Sequence, residues 1–176
     1  MQENYDFAFE LVIGHEGGFQ NDSADRGNWT TGKIGSGVNK GTKFGVSAMA
    51  YPNLDIRNLT LDQAKEIYRK DYWAKVQGDA LPHGLDYLTF DCAINHGPQR
   101  AVKLLQEAVG ASPDGALGPR TLAAVRAADG RSAIIKMGTE RDEFFDDINN
   151  PRYEDGWRNR AFETCFNAYD LWLARQ

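Results

Sequence analysis

The chain has 176 residues, 41% of them hydrophobic, which is enough to bury a full core and too much for a disordered segment. Its 25 acidic residues outnumber 20 basic ones, giving a formal charge of -5. That balance argues against nucleic acid as a partner, because neutralising phosphates takes a surplus of Lys and Arg.

The first residues, MQENYDFAFELVIG, carry no basic run and no long apolar stretch, so they predict neither a signal peptide nor a membrane anchor. No segment approaches the roughly 20 apolar residues of a spanning helix. The expectation is synthesis in the cytoplasm, and a substrate beyond the membrane would then be reached only through a separate release route. Residues 4–16 place Phe9, Val12, Ile13 and Glu16 on one helical face, with Asn4 or Asp6 as cap. Residues 26–47 hold six glycines and the β-formers Ile34, Val38, Phe44 and Val46, which predicts a loop with a short β-hairpin.

Thr60 and Gln63 form a capping-box pattern that opens a helix running toward Trp73. Another helix is expected over 82–95, with Leu85, Leu88, Cys92 and His96 in a stripe. Gly97-Pro98 ends it and starts the next, whose Ala101, Leu104, Leu105 and Ala108 face inward. A double turn at 114–119 then sets Pro119 at a first helical position, and two longer helices follow at about 132–147 and 157–174. The aromatics at 144, 145, 162, 166, 169 and 172 read as core, and Cys92 and Cys165 as free buried thiols. The expected class is mainly α, with a short hairpin and Gly-rich loop after the first helix. A catalytic region over 1–95 and a helical region over 96–176, packed into one body, is the expected organisation.

Glu16 stands directly before Gly17 and Gly18, where the helix must end. The negative end of the helix dipole and an apolar face both disfavour its ionised form, and a carboxyl held protonated can give its proton to a leaving oxygen. Taken alone, a helix-end glutamate paired with an arginine explains the position equally simply. Downstream, Asp25 and a hydroxyl at Thr30 or Thr31 complete a set suited to glycosidic hydrolysis, in which one group protonates the bond and the others hold or activate water. Asp22 competes for the second carboxylate, and either aspartate can simply brace a turn.

The Glu16–Asp25–Thr31 spacing looks like the catalytic arrangement of phage-type lysozymes. EGGFQNDSADRGNWT, GTKFGVS at 41–47, LTLDQAKEIYRKDYW at 59–73 and FDCAINHG at 90–97 resemble glycoside hydrolase family 108, the N-acetylmuramidases. DGALGPRTLAAV at 114–125 resembles the peptidoglycan-binding segment that accompanies that family. The resemblance implies a lysozyme-like helical fold. It also implies cleavage of the β-1,4 bond between N-acetylmuramic acid and N-acetylglucosamine, as in a phage endolysin that acts on the wall in the periplasm, as a monomer released through a holin.

Glu16 matches the family's catalytic glutamate and Asp25 the aspartate that follows it. Many members continue from that aspartate directly into a Gly-Gly-Ala-Thr-Asn-(Phe/Tyr)-Gly run. Here residues 26–40 intervene, so the hydroxyl falls to Thr30, Thr31 or Thr42, with Thr30 ranked first. Asn95 and His96, at a helix end, are candidate substrate-binding residues or satisfied caps. Trp29 either stacks on a sugar or anchors its loop. The three histidines show no metal-ligand spacing and no phosphate-binding glycine motif is complete, so no metal or cofactor is expected. The expected partner is the peptidoglycan glycan strand. A lytic transglycosylase, or a non-catalytic peptidoglycan-binding or secretion-accessory protein, is the rival reading.

Overall fold

A computed structural model describes residues 2–13, 18–148 and 154–175. The chain falls into two compact units, Met1–Ala8 with Lys70–Gln176, and Phe9–Arg69. Helix α1 (Gln2–Ile13) supplies residues to both.

In the smaller unit, Phe9, Val12 and Ile13 are buried, as their spacing predicts. Phe9 meets Tyr68 edge-to-face at 5.7 Å. Tyr68 closes α2 (Leu61–Tyr68), and its hydroxyl donates to the Phe44 carbonyl at 3.2 Å. The capping box that opens α2 is fully formed: Thr60 Oγ1 accepts from Gln63 N, and the Gln63 side chain accepts from Thr60 N. Beyond Tyr68 the chain winds on as a π-helical turn, Arg69–Trp73, so the pattern toward Trp73 is helical but not α throughout.

The expected hairpin is smaller than its β-formers suggest. Strands β1 (Thr42–Lys43) and β2 (Val46–Ser47) pair antiparallel, Thr42 opposite Ser47 and Lys43 opposite Val46. Phe44 and Gly45 make the turn, both at positive φ (51° and 72°), the twist that a two-residue hairpin requires. Ile34 and Val38 are not strand residues and stand more than half exposed, because residues 31–39 form a loop closed on itself. The Thr30 amide donates to the Val38 carbonyl at 3.0 Å, and an antiparallel bridge joins Trp29 to Asn39.

The larger unit is built on α3 (Leu85–His96), buried over nearly its whole length. Tyr5, Trp73 and Phe90 meet edge-to-face in a triangle of rings 5.3 to 5.8 Å apart. Gly97 (φ 82°) breaks α3, and Pro98 starts α4 (Pro98–Ala108), whose four predicted inward residues are all buried. Helices α5 (Pro119–Ala127), α6 (Gly130–Ile148) and α7 (Glu154–Leu173) complete the unit, and α6 packs on both α4 and α7.

Two expectations are corrected here. Phe145 is buried, but Phe162 and Phe166 are exposed by 77% and 58%, because they lie on the outward side of α7 rather than in the core. Cys92 is buried, and burial pushes its thiol up to about 11. Cys165 is only half-buried, also as a free thiol.

The 114–125 segment turns inward on one buried side chain. Gln106 Nε2 donates to Asp114 Oδ1 (2.8 Å), Thr121 Oγ1 (3.0 Å) and the Ala116 carbonyl (3.1 Å), while Gln106 Oε1 accepts from Gly115 N (2.8 Å). Asp114 and Thr121 therefore brace the loop that leads into α5.

Candidate active site

Glu16 lies outside the described residues. The chain is described up to Ile13 and again from Gly18, and Gln20 at once pairs with Thr42 in an antiparallel bridge, its amide and carbonyl bonded to those of Thr42 at 2.9 and 2.8 Å. This bridge lays the segment after Glu16 alongside β1.

Asp25 is half-buried and caps a 3-10 turn, Arg26–Asn28, by accepting from Gly27 N on Oδ1 at 2.8 Å. Its Oδ2 accepts from Gln20 Nε2 at 3.2 Å. Gln20 in turn engages Asn28, which is completely buried. Asn28 Oδ1 accepts from Gln20 Nε2 (3.1 Å) and Thr42 Oγ1 (2.7 Å), and Asn28 Nδ2 donates to Gln20 Oε1 (2.8 Å) and the Asp22 carbonyl (2.9 Å). A primary amide has two donors and two acceptor sites, and Asn28 uses all four. Its orientation is therefore fixed, and so is the distance it imposes between Asp25 and Thr42. Because the Thr42 hydroxyl spends its proton on Asn28, its oxygen is left to accept from water or substrate.

The other candidates are placed differently. Thr30 Oγ1 accepts from Val38 N at 3.0 Å, and Thr31 Oγ1 donates to the Ser36 carbonyl at 2.8 Å, so both hydroxyls close the 31–39 loop and neither joins Asp25. Asp22 is exposed and braces its own turn by accepting from Ala24 N. Trp29 is half-exposed, and its indole N–H donates to the Ser23 carbonyl at 3.0 Å, which anchors the ring beside the 3-10 turn. Gln20 and Asn28 went unnoticed in the sequence. Nothing marks an amide as a hub until the fold brings Thr42 to it across 14 positions.

Asn95 and His96 belong to the larger unit, where they line a pocket with Arg141, Phe145, Ile148, Trp157 and Arg160. Asn95 Nδ2 donates to the Asp91 carbonyl (2.8 Å) and to Asp91 Oδ2 (3.2 Å). Arg141 Nε donates to His96 Nε2 at 3.1 Å. Burial, followed by the charge of Arg141, pushes the His96 imidazole down to about 4, so it is neutral at pH 7. Among the described residues, no cluster of three His, Cys, Asp or Glu could hold a metal ion, and no helix is long and apolar enough to cross a membrane.

A helical body, a short hairpin that delivers a carboxylate and a hydroxyl, and a separate polar pocket define a glycoside hydrolase that acts on peptidoglycan. The glycosyl hydrolase 108 model matches residues 9–97, half of the chain, and the chain belongs to that family. A model described as "Predicted Peptidoglycan domain" matches residues 100–162. The fold is similar to one solved as "Structure of Brucella abortus SagA", with a TM-score of 0.79 and 31% identity over 98% of this chain and 97% of that one. No curated protein sequence matches.

Proposed function

We propose that the enzyme is an N-acetylmuramidase, cutting the β-1,4 bond between N-acetylmuramic acid and N-acetylglucosamine. Glu16 acts as general acid, Asp25 as the carboxylate that orients or activates water, and Thr42 as the assisting hydroxyl in place of Thr30. The observation that carries this reading is the hydrogen-bonded run Asp25–Gln20–Asn28–Thr42, which couples a carboxylate to a hydroxyl through two amides with no spare rotational freedom. In a single displacement, Glu16 gives its proton to the leaving glycosidic oxygen as that bond breaks. Water adds to the anomeric carbon and yields its proton to Asp25, with inversion, for which carboxyls about 6.5–9.5 Å apart leave room.

The test is digestion of purified peptidoglycan by wild type and by Glu16→Gln, with the products resolved by mass spectrometry. New reducing muramic ends that disappear in the variant are expected. Anhydro-muramic ends would make the enzyme a lytic transglycosylase, and undiminished release by Glu16→Gln would remove that residue from its role. Because the bond lies in the wall, the proposal extends to lysis from within. The enzyme is made in the cytoplasm, released through a holin-type pore and acts as a monomer. Lysis of expressing cells only when a holin is co-expressed supports this, and lysis without one overturns it.

A further inference from the structure

The pocket in the larger unit carries more positive charge than its own packing needs. Asp91, about 2% exposed, is its only buried carboxylate among the described residues, and two guanidiniums converge on it. Arg160 reaches Oδ1 through Nη2 at 2.8 Å and Nε at 3.2 Å, and Arg141 Nη1 lies 2.9 Å from Oδ2. Oδ2 also accepts from Asn95 and Thr164, so the carboxylate is saturated. Arg141 is 1% exposed, and its Nη1, close to Asp91 but poorly aligned with it, has no hydrogen-bond partner among the described residues. A buried guanidinium N–H left unsatisfied is costly, and an incoming acceptor would relieve that cost. Arg100, stacked on Phe144 at 4.4 Å, adds a third cation whose field reaches His96.

Size and walls narrow the ligand further. The cavity is about 150 Å³, room for about five waters at roughly 30 Å³ each. That admits the end of one small residue and excludes a disaccharide. Trp157 and Phe145 supply an apolar wall, their rings 5.7 Å apart. The N-acetylated glycan is uncharged and has no use for surplus arginines, whereas the peptide attached to it ends in small residues bearing carboxylates. We propose that this pocket binds a carboxylate terminus of the peptidoglycan peptide, its oxygens facing Arg141 and Arg160 and its short side chain against Trp157. This rests on the reading of peptidoglycan as substrate. It gives the larger unit the peptide to hold and leaves the glycan to the Asp25 site.

Isothermal titration of the full chain with the soluble disaccharide-tetrapeptide tests it, since that ligand no longer contains the bond to be cut. Saturable binding is expected, falling at least about tenfold when the peptide carboxylates are amidated. The same loss is expected in Ile148→Asp, which sets a negative charge at the 41%-exposed rim without touching the Asp91 pairs. Arg160→Gln should weaken binding as well, with Arg141 still opposite Asp91. A thermal melt of each variant within a few degrees of wild type certifies the fold. Absence of binding, equal affinity for the amidated ligand, indifference to Ile148→Asp or equal competition by inorganic phosphate would each overturn the proposal. The titration involves no turnover, so a failure of the muramidase reading, seen as no new reducing ends, leaves this result interpretable.

Discussion

Asp25 and Thr42 are tied to each other through amides rather than by direct contact, and this decides which substitutions matter. Asp25→Asn keeps an acceptor for Gly27 N, and so the turn, but removes the charge. Clearing of a peptidoglycan suspension should slow by about a hundredfold or more, the scale of a lost acid–base group. Thr42→Val should cost about tenfold, whereas Thr30→Val should change the rate by less than about twofold, because its hydroxyl serves only the Val38 amide. Equal losses in the two threonine variants would undo the assignment. Asp25 was legible in the sequence because a carboxylate at a fixed remove from another carries its own signal. The choice among three threonines was not, since a hydroxyl's partner depends on where a 14-residue connection brings it back. Nor did the sequence separate Asp114 and Thr121, which brace a loop around Gln106, from residues that meet ligand.

At the level of elements, the active-site frame hangs on Gly41, the residue just before β1. Its φ of 80° is left-handed, and an added Cβ would stand 2.4 Å from the Gln20 carbonyl and 2.7 Å from the Phe19 ring. The same carbonyl accepts from Thr42 N, so the bridge that brings Gln20 to Thr42 cannot tolerate the intrusion. Gly41→Ala should cost about 2 kcal/mol or more from the backbone alone, lowering the melting midpoint by about 4 °C or more, with a further loss of turnover. Calorimetry and the clearing assay check the two effects separately. Elements governed by local rules, such as the Thr60 capping box and the Gly97-Pro98 break, could be read from sequence within a residue or two. The hairpin could not, because Ile34 and Val38 satisfy β propensity while the loop's own closure takes them out of the sheet.

For the molecule as a whole, stability should carry the imprint of His96. Its folded value of about 4 lies below the ordinary 6.5, so between these limits the unfolded chain binds a proton that the folded one refuses. Stability is therefore full above about pH 6.5 and declines as pH falls toward 4. Arg100, Arg141 and Arg160 all oppose protonation, and Asp91 alone favours it. Melting midpoints measured at constant ionic strength should fall over that window in wild type and fall less in His96→Gln, which retains an acceptor for Arg141 Nε. Parallel curves would show that another group governs the acid limb. The 31–39 loop has a different kind of significance. Pinned at Trp29–Asn39 and Thr30–Val38, it leaves and rejoins the fold at nearly one point, so its length is uncoupled from the Asp25–Thr42 geometry. Such a loop is raw material for divergence: related enzymes can lengthen, shorten or replace it without rebuilding the catalytic frame, and a tag grafted at Gly35-Ser36 should be carried in the same way.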